Sequence, residues 1–80
     1  MSAKYYEFGA RLKKLRIDAK IGTQGDLAKL IGASESSVCA WERGVKFPEY
    51  KLLVGIIRYF KCDAHWLVTG LTFDDFLEVV

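Results

Sequence analysis

Eighty residues, 51% of them apolar and 28% charged, describe one globular domain with a single small core. A second domain does not fit, and the apolar content is too high for a disordered chain. The net charge of +2 permits a nucleic-acid partner without requiring one, so the placement of the charges has to decide.

The longest uncharged apolar run, Leu52 to Ile57, is interrupted by Gly55 and is far too short to span a bilayer. The opening MSAKYYEFGA lacks the long apolar stretch of a secretory signal, so no membrane association and a cytoplasmic location are expected. Cys39 and Cys62 form no C-x-x-C pair and are read as thiols; with the lone His65 they are too few for a zinc site. No metal and no cofactor are expected.

In chain order, Phe8, Leu12, Leu15 and Ala19 recur at helical spacing while Arg11, Lys13, Lys14 and Arg16 fill other faces, which predicts a first helix from about Tyr5 to Ala19, ending near Ile21-Gly22. Thr23 offers a hydroxyl cap with Asp26 three residues on, and Leu27, Ala28, Leu30 and Ile31 follow at helical spacing until Gly32 closes a short second helix. Ser34 caps a third, in which Val38 and Trp41 share a face and Gly44 marks the end. Pro48 suits the start of a fourth helix, whose buried stripe is Tyr50, Leu53, Ile56, Ile57 and Phe60. Asp63 caps a short fifth through Ala64, His65, Trp66 and Leu67, stopped by Gly70. The tail LTFDDFLEVV carries a Thr72-x-x-Asp75 start and has room for a last turn or two of helix. No strand alternation, internal repeat or low-complexity tract interrupts this pattern.

The expected fold is therefore all-α: a compact five-helix bundle, with a short C-terminal helix as an addition. Two short helices joined by Ile31-Gly32-Ala33-Ser34 suit a helix-turn-helix built from helices 2 and 3. Val38 and Trp41 point inward in that arrangement, leaving Glu35, Ser36, Cys39, Ala40 and Arg43 facing outward.

The string Arg16, TQ-x-x-LA-x-x-IG-x-S-x-x-x-V-x-x-WERG over Thr23 to Gly44, Pro48, Leu53 and Trp66-Leu67-Val68-Thr69-Gly70 resembles the Cro/repressor-type helix-turn-helix family of phages and bacteria, over roughly Phe8 to Gly70. The resemblance implies a DNA-binding domain over residues 1–70 and leaves 71–80 as a candidate dimerisation or packing segment. It also implies a third helix lying in the major groove of a two-fold site bound by a homodimer. Carried over by position, the base-contacting residues are Gln24, Glu35, Ser36 and Ala40. Glu35 can accept from cytosine N4, Ser36 can bond to several base edges, and Ala40 can pack on a thymine methyl. Lys13, Lys14, Lys29, Arg43 and Lys46 are candidate phosphate partners. Arg16 and Glu42 are implied to form a structural ion pair joining the first helix to the end of the third. The chain departs from the family pattern between Arg16 and Gln24, where it is one residue longer, with Gly22 as the extra residue and Ile21 in the apolar position.

Several of these residues have plainer readings. Trp41 and Trp66 lie on apolar stripes and are read as core, Cys62 as a buried thiol, and Cys39 as an outward one open to oxidation or an interface. His65 is read as a surface or cap residue, and RLKKLR as either a solvated helix face or a phosphate-contacting one. Asp74, Asp75 and Glu78 make the tail unsuited to touching DNA. The leading function is a sequence-specific double-stranded DNA-binding transcriptional regulator, a repressor on a palindromic operator, with no catalytic step. The competing class is a protein-interaction module, such as an antitoxin that holds a toxin or an antirepressor. An enzyme is the remote third reading, because no plausible nucleophile accompanies the sole histidine, His65, in the sequence pattern and no Gly-rich phosphate loop or paired-carboxylate motif is visible.

Overall fold

Thr23, Ser34 and Asp63 each stand one residue ahead of a helix in the computed structural model, which describes residues 4–71. Each satisfies backbone amides that the helix itself leaves unbonded. Thr23 Oγ1 accepts from the Asp26 N–H at 3.0 Å, and Ser34 Oγ accepts from Ser37 at 3.1 Å. Asp63 Oδ1 accepts from His65 at 2.9 Å and from Trp66 at 3.3 Å. The helices are α1 (Tyr6–Asp18), α2 (Gln24–Ile31), α3 (Glu35–Glu42), α4 (Tyr50–Phe60) and α5 (Ala64–Thr69), and no strand occurs among the described residues.

Each helix sends one side chain to full burial: Leu12, Leu27, Val38, Ile56 and Leu67. Burying an aliphatic side chain of this size contributes roughly 1.5–3 kcal/mol, so the centre of the bundle is held by a contribution from every element. Phe8, Ile21, Ala28 and Trp41 complete the core, and Trp66, Cys62, Leu53, Ile57 and Phe60 pack on it while partly exposed. Burial pushes the Cys62 thiol above its ordinary range, against a backbone hydrogen bond that pulls it down. An aromatic group of Tyr5, Phe8 and Phe47 closes the side where α1 begins, with ring centroids 4.6 Å (Phe8–Phe47) and 5.3 Å (Tyr5–Phe47) apart.

The structure departs from the sequence reading at several points. The first helix runs to Asp18, within a residue of the predicted Ala19, but its stop is Lys20 rather than Ile21-Gly22: Lys20 takes the left-handed conformation (φ 61), and the Lys20 and Ile21 amides bond back to the Ile17 and Arg16 carbonyls. This is a Schellman closure made without glycine, and it leaves Ala19 exposed as the C-cap. Tyr50 is 82% exposed and not part of the buried stripe of α4. It is the first residue of that helix, and helical side chains lean toward the N-terminus, so its ring projects past the end of the core. Pro48 is buried but precedes the N-cap Glu49 and stands outside the helix. Leu30 lies half-exposed on the outer side of α2. The Thr72-x-x-Asp75 helix start falls outside the described residues. Among those residues no helix is long and apolar enough to cross a membrane.

Candidate nucleic-acid interface

Only eight residues long, α3 cannot hold its shape by propensity and depends on what packs behind it. Its inner side carries Val38, Trp41 and Glu42, all buried. Behind them α1 passes so close that a Cβ on Gly9 would stand 2.5 Å from the Trp41 carbonyl oxygen and 2.6 Å from that of Glu42. Only glycine fits this crossing. The chain then leaves α3 through Gly44 at φ 77, where any side chain would also meet the Tyr6 backbone at 2.6 Å, and the Tyr5 amide donates to the Gly44 carbonyl at 2.9 Å. The end of α3 is thus clamped against the start of α1.

A buried polar network fixes the same end. Arg16 donates from Nε to Glu42 Oε2 at 2.7 Å and from Nη2 to Glu42 Oε1 at 3.2 Å, a two-bond fork. Its Nη1 donates to the Ile21 carbonyl at 3.0 Å, and Gln24 Nε2 donates to Glu42 Oε1 at 3.0 Å. One arginine therefore ties α1, the α1–α2 loop and α3 together, and the first residue of α2 joins through the shared carboxylate. The extra residue of that loop does not disturb the geometry, because Gly22 faces solvent with open space around it while Ile21 stays buried. Among the described residues no buried side-chain nitrogen or oxygen lacks a hydrogen-bond partner.

The outer side of α3 has different chemistry. Glu35 and Ser36 of its first turn are exposed, and Cys39 and Ala40 are half-buried further along. Ser36 Oγ lies 3.2 Å from Ser34 Oγ, so part of its bonding capacity is used locally. Arg43, the C-cap, is exposed, and the Ala40 carbonyl accepts from the Val45 and Lys46 amides, which folds exposed Lys46 back against the same helix. Among the base-contact candidates, Gln24 is the one drawn into the buried network, joined to Arg16 through Glu42. Lys13, Lys14 and Lys29 are exposed on α1 and α2, and Lys14 is already paired with Asp18 at 2.8 Å.

Arg11, which the sequence pattern puts on either a solvated or a phosphate-contacting face, is instead half-buried and structural. Its Nε donates to the Leu67 carbonyl at 2.8 Å and its Nη2 to that of Val68 at 3.1 Å, holding the last turn of α5 onto α1. No local signal marks this role, since the acceptors lie more than fifty positions away. Gly9 was missed for the same reason, although a glycine inside an otherwise regular helix is a usable hint of close packing.

An exposed helix held from behind after a short glycine-containing turn defines a helix-turn-helix domain, and the chain belongs to the helix-turn-helix family, whose pattern it matches over residues 12–67. It is 34% identical over 70 residues to the HTH-type transcriptional regulator DicA of Escherichia coli strain K12, covering 88% of this chain; the chain spans about half (51%) of that relative's length. Its fold is similar to the crystal structure of the P22 c2 repressor protein in complex with a synthetic operator. That likeness has a TM-score of 0.74 and 28% identity, covering 80% of this chain and 96% of the other.

Proposed function

We propose that this chain is the sequence-specific double-stranded DNA-binding domain of a transcriptional regulator, which represses by occupying a palindromic operator as a homodimer and performs no catalytic step. What carries the reading is the contrast within α3: its inner side is clamped by Gly9 and the Arg16–Glu42 fork, while Glu35 and Ser36 stand exposed at its first turn. A rigid helix with polar first-turn side chains is what major-groove readout requires. The similarity to a transcriptional regulator and to a repressor crystallised with an operator supports the same reading. Glu35, Ser36 and Ala40 meet base edges, Gln24 acts at the start of α2, and Arg43, Lys46 and Lys29 carry the phosphate contacts. Lys13 and Lys14 on α1 are further phosphate candidates, with Lys14 exchanging its exposed pairing with Asp18 for the phosphate.

Selection from a random double-stranded DNA pool at two salt concentrations tests this. The expected result is an enriched two-fold sequence with half-sites about one helical turn, on the order of 34 Å, apart. Salt-sensitive binding with no enriched sequence would instead favour the protein-interaction reading, antitoxin or antirepressor, which the exposed acid at the head of α3 keeps in view. The tail is proposed to contribute to the dimer: removing residues 72–80 is expected to leave folded monomer in sedimentation, and an intact dimer would locate the interface elsewhere.

A further inference from the structure

Gly25 is the second residue of α2, and the space left by its missing side chain is where Glu35 rests. A Cβ at Gly25 would stand 3.3 Å from Glu35 Cδ, 3.4 Å from Oε2 and 3.6 Å from Oε1. The carboxylate therefore lies against the first turn of α2, where the positive end of the helix dipole favours a negative charge. Gln24, the neighbouring residue, already gives its side-chain amide to Glu42. Glu35 itself is exposed and long, so this resting place is one of several positions its head group can reach.

We infer that Gly25 is a specificity-determining position that acts through Glu35, by offering the carboxylate a resting site on α2 in competition with a base edge. The inference rests on the DNA-binding reading above. A side chain that must leave a favourable contact before it can accept a hydrogen bond from cytosine N4 reads that base more weakly, in proportion to the fraction of molecules in which it is free. Closing the space with a methyl group crowds the carboxylate by a few tenths of an ångström and biases it off α2. Gly25→Ala also exchanges glycine for the best helix former, so the fold is expected to keep or gain thermal stability. A change in base preference would then not be a symptom of unfolding.

The test is a double-mutant cycle of the parent, Gly25→Ala, Glu35→Ala and the double variant. Each is titrated with the selected operator and with an operator altered at the base pair whose preference Glu35→Ala abolishes. Gly25→Ala is expected to raise discrimination at that base pair by at least about twofold when Glu35 is present and to change nothing when it is absent. Equal effects in both backgrounds, no effect, or reduced discrimination would overturn the inference. A second readout needs no DNA: at one fixed neutral pH, the Gln24 and Gly25 amide resonances are expected to shift when Glu35→Gln or Glu35→Ala removes the charge resting on the first turn of α2. Resonances indifferent to Glu35 would remove the resting contact. If they shift while the parent selects no DNA sequence, the contact stands and the DNA-binding reading fails.

Discussion

Lys14 and Arg16 stand two residues apart on α1, and each holds a carboxylate at nearly the same distance, 2.8 Å for Lys14–Asp18 and 2.7 Å for Arg16–Glu42. The resemblance ends there. The first pair joins neighbours on one helix with side chains 65% and 61% exposed; the second joins positions 26 apart in sequence with side chains 9% and 2% exposed. Water and salt screen the first, and ordering two long side chains costs most of what the attraction contributes. The second pair is removed from water, so its charges must stay paired, and the fork geometry fixes the relative position of the two helices it joins. Distance alone does not rank ion pairs. Exposure and the elements they connect do.

Glu42→Ala should break this contrast most severely. It strands a buried guanidinium and deprives Gln24 of its acceptor, a loss of about 3–5 kcal/mol in denaturant titration. In a domain this small that is a large share of the total stability. A cost below about 1 kcal/mol would mean that the pair is as dispensable as a surface one. On the outer side, Arg43→Ala and Lys46→Ala should leave stability nearly unchanged but weaken binding to all DNA sequences. Each should flatten the dependence of log K on log salt by about one unit; loss confined to the operator would contradict a phosphate role. The smallest effect is expected from Lys14→Ala, about 0.5 kcal/mol or less in the same titration, because it removes only the exposed pair. A cost comparable with that of Glu42→Ala would show that exposure is not what separates the two.

How much of this was legible in the sequence follows from the range of each interaction. The caps at Thr23, Ser34 and Asp63 are local events, set by a side chain and amides two or three residues away, and they sit where the pattern predicts. Apolar spacing likewise identifies Leu12, Leu27, Val38, Ile56 and Leu67 as inward positions. Lys20 was not legible as a helix terminator, because a left-handed lysine gives no compositional signal, whereas the glycine two residues later does. Tyr50 misled because periodicity says which side of a helix is apolar but not where the neighbouring element stops. Gly9, Arg11 and Gly25 take their roles from segments distant in the chain. For the candidate site, the sequence pattern separated the buried Val38 and Trp41 of α3 from the exposed Glu35 and Ser36, but did not show that Gln24 is bound into the buried network or that Glu35 leans on α2.

The proposed reading of DNA sequence by the outer side of a clamped α3 has a direct test. The most direct measurement is the ratio of affinities for the selected operator and a scrambled one, at a single salt concentration, for the parent protein and for the Glu35→Ala, Ser36→Ala double variant. The parent is expected to discriminate by roughly a thousandfold or more. The variant should lose most of that ratio while binding the scrambled sequence at least as tightly, since the proposed phosphate-contacting residues are kept and one negative charge is removed. A variant that discriminates as well as the parent would remove the first turn of α3 from the reading surface and contradict the account.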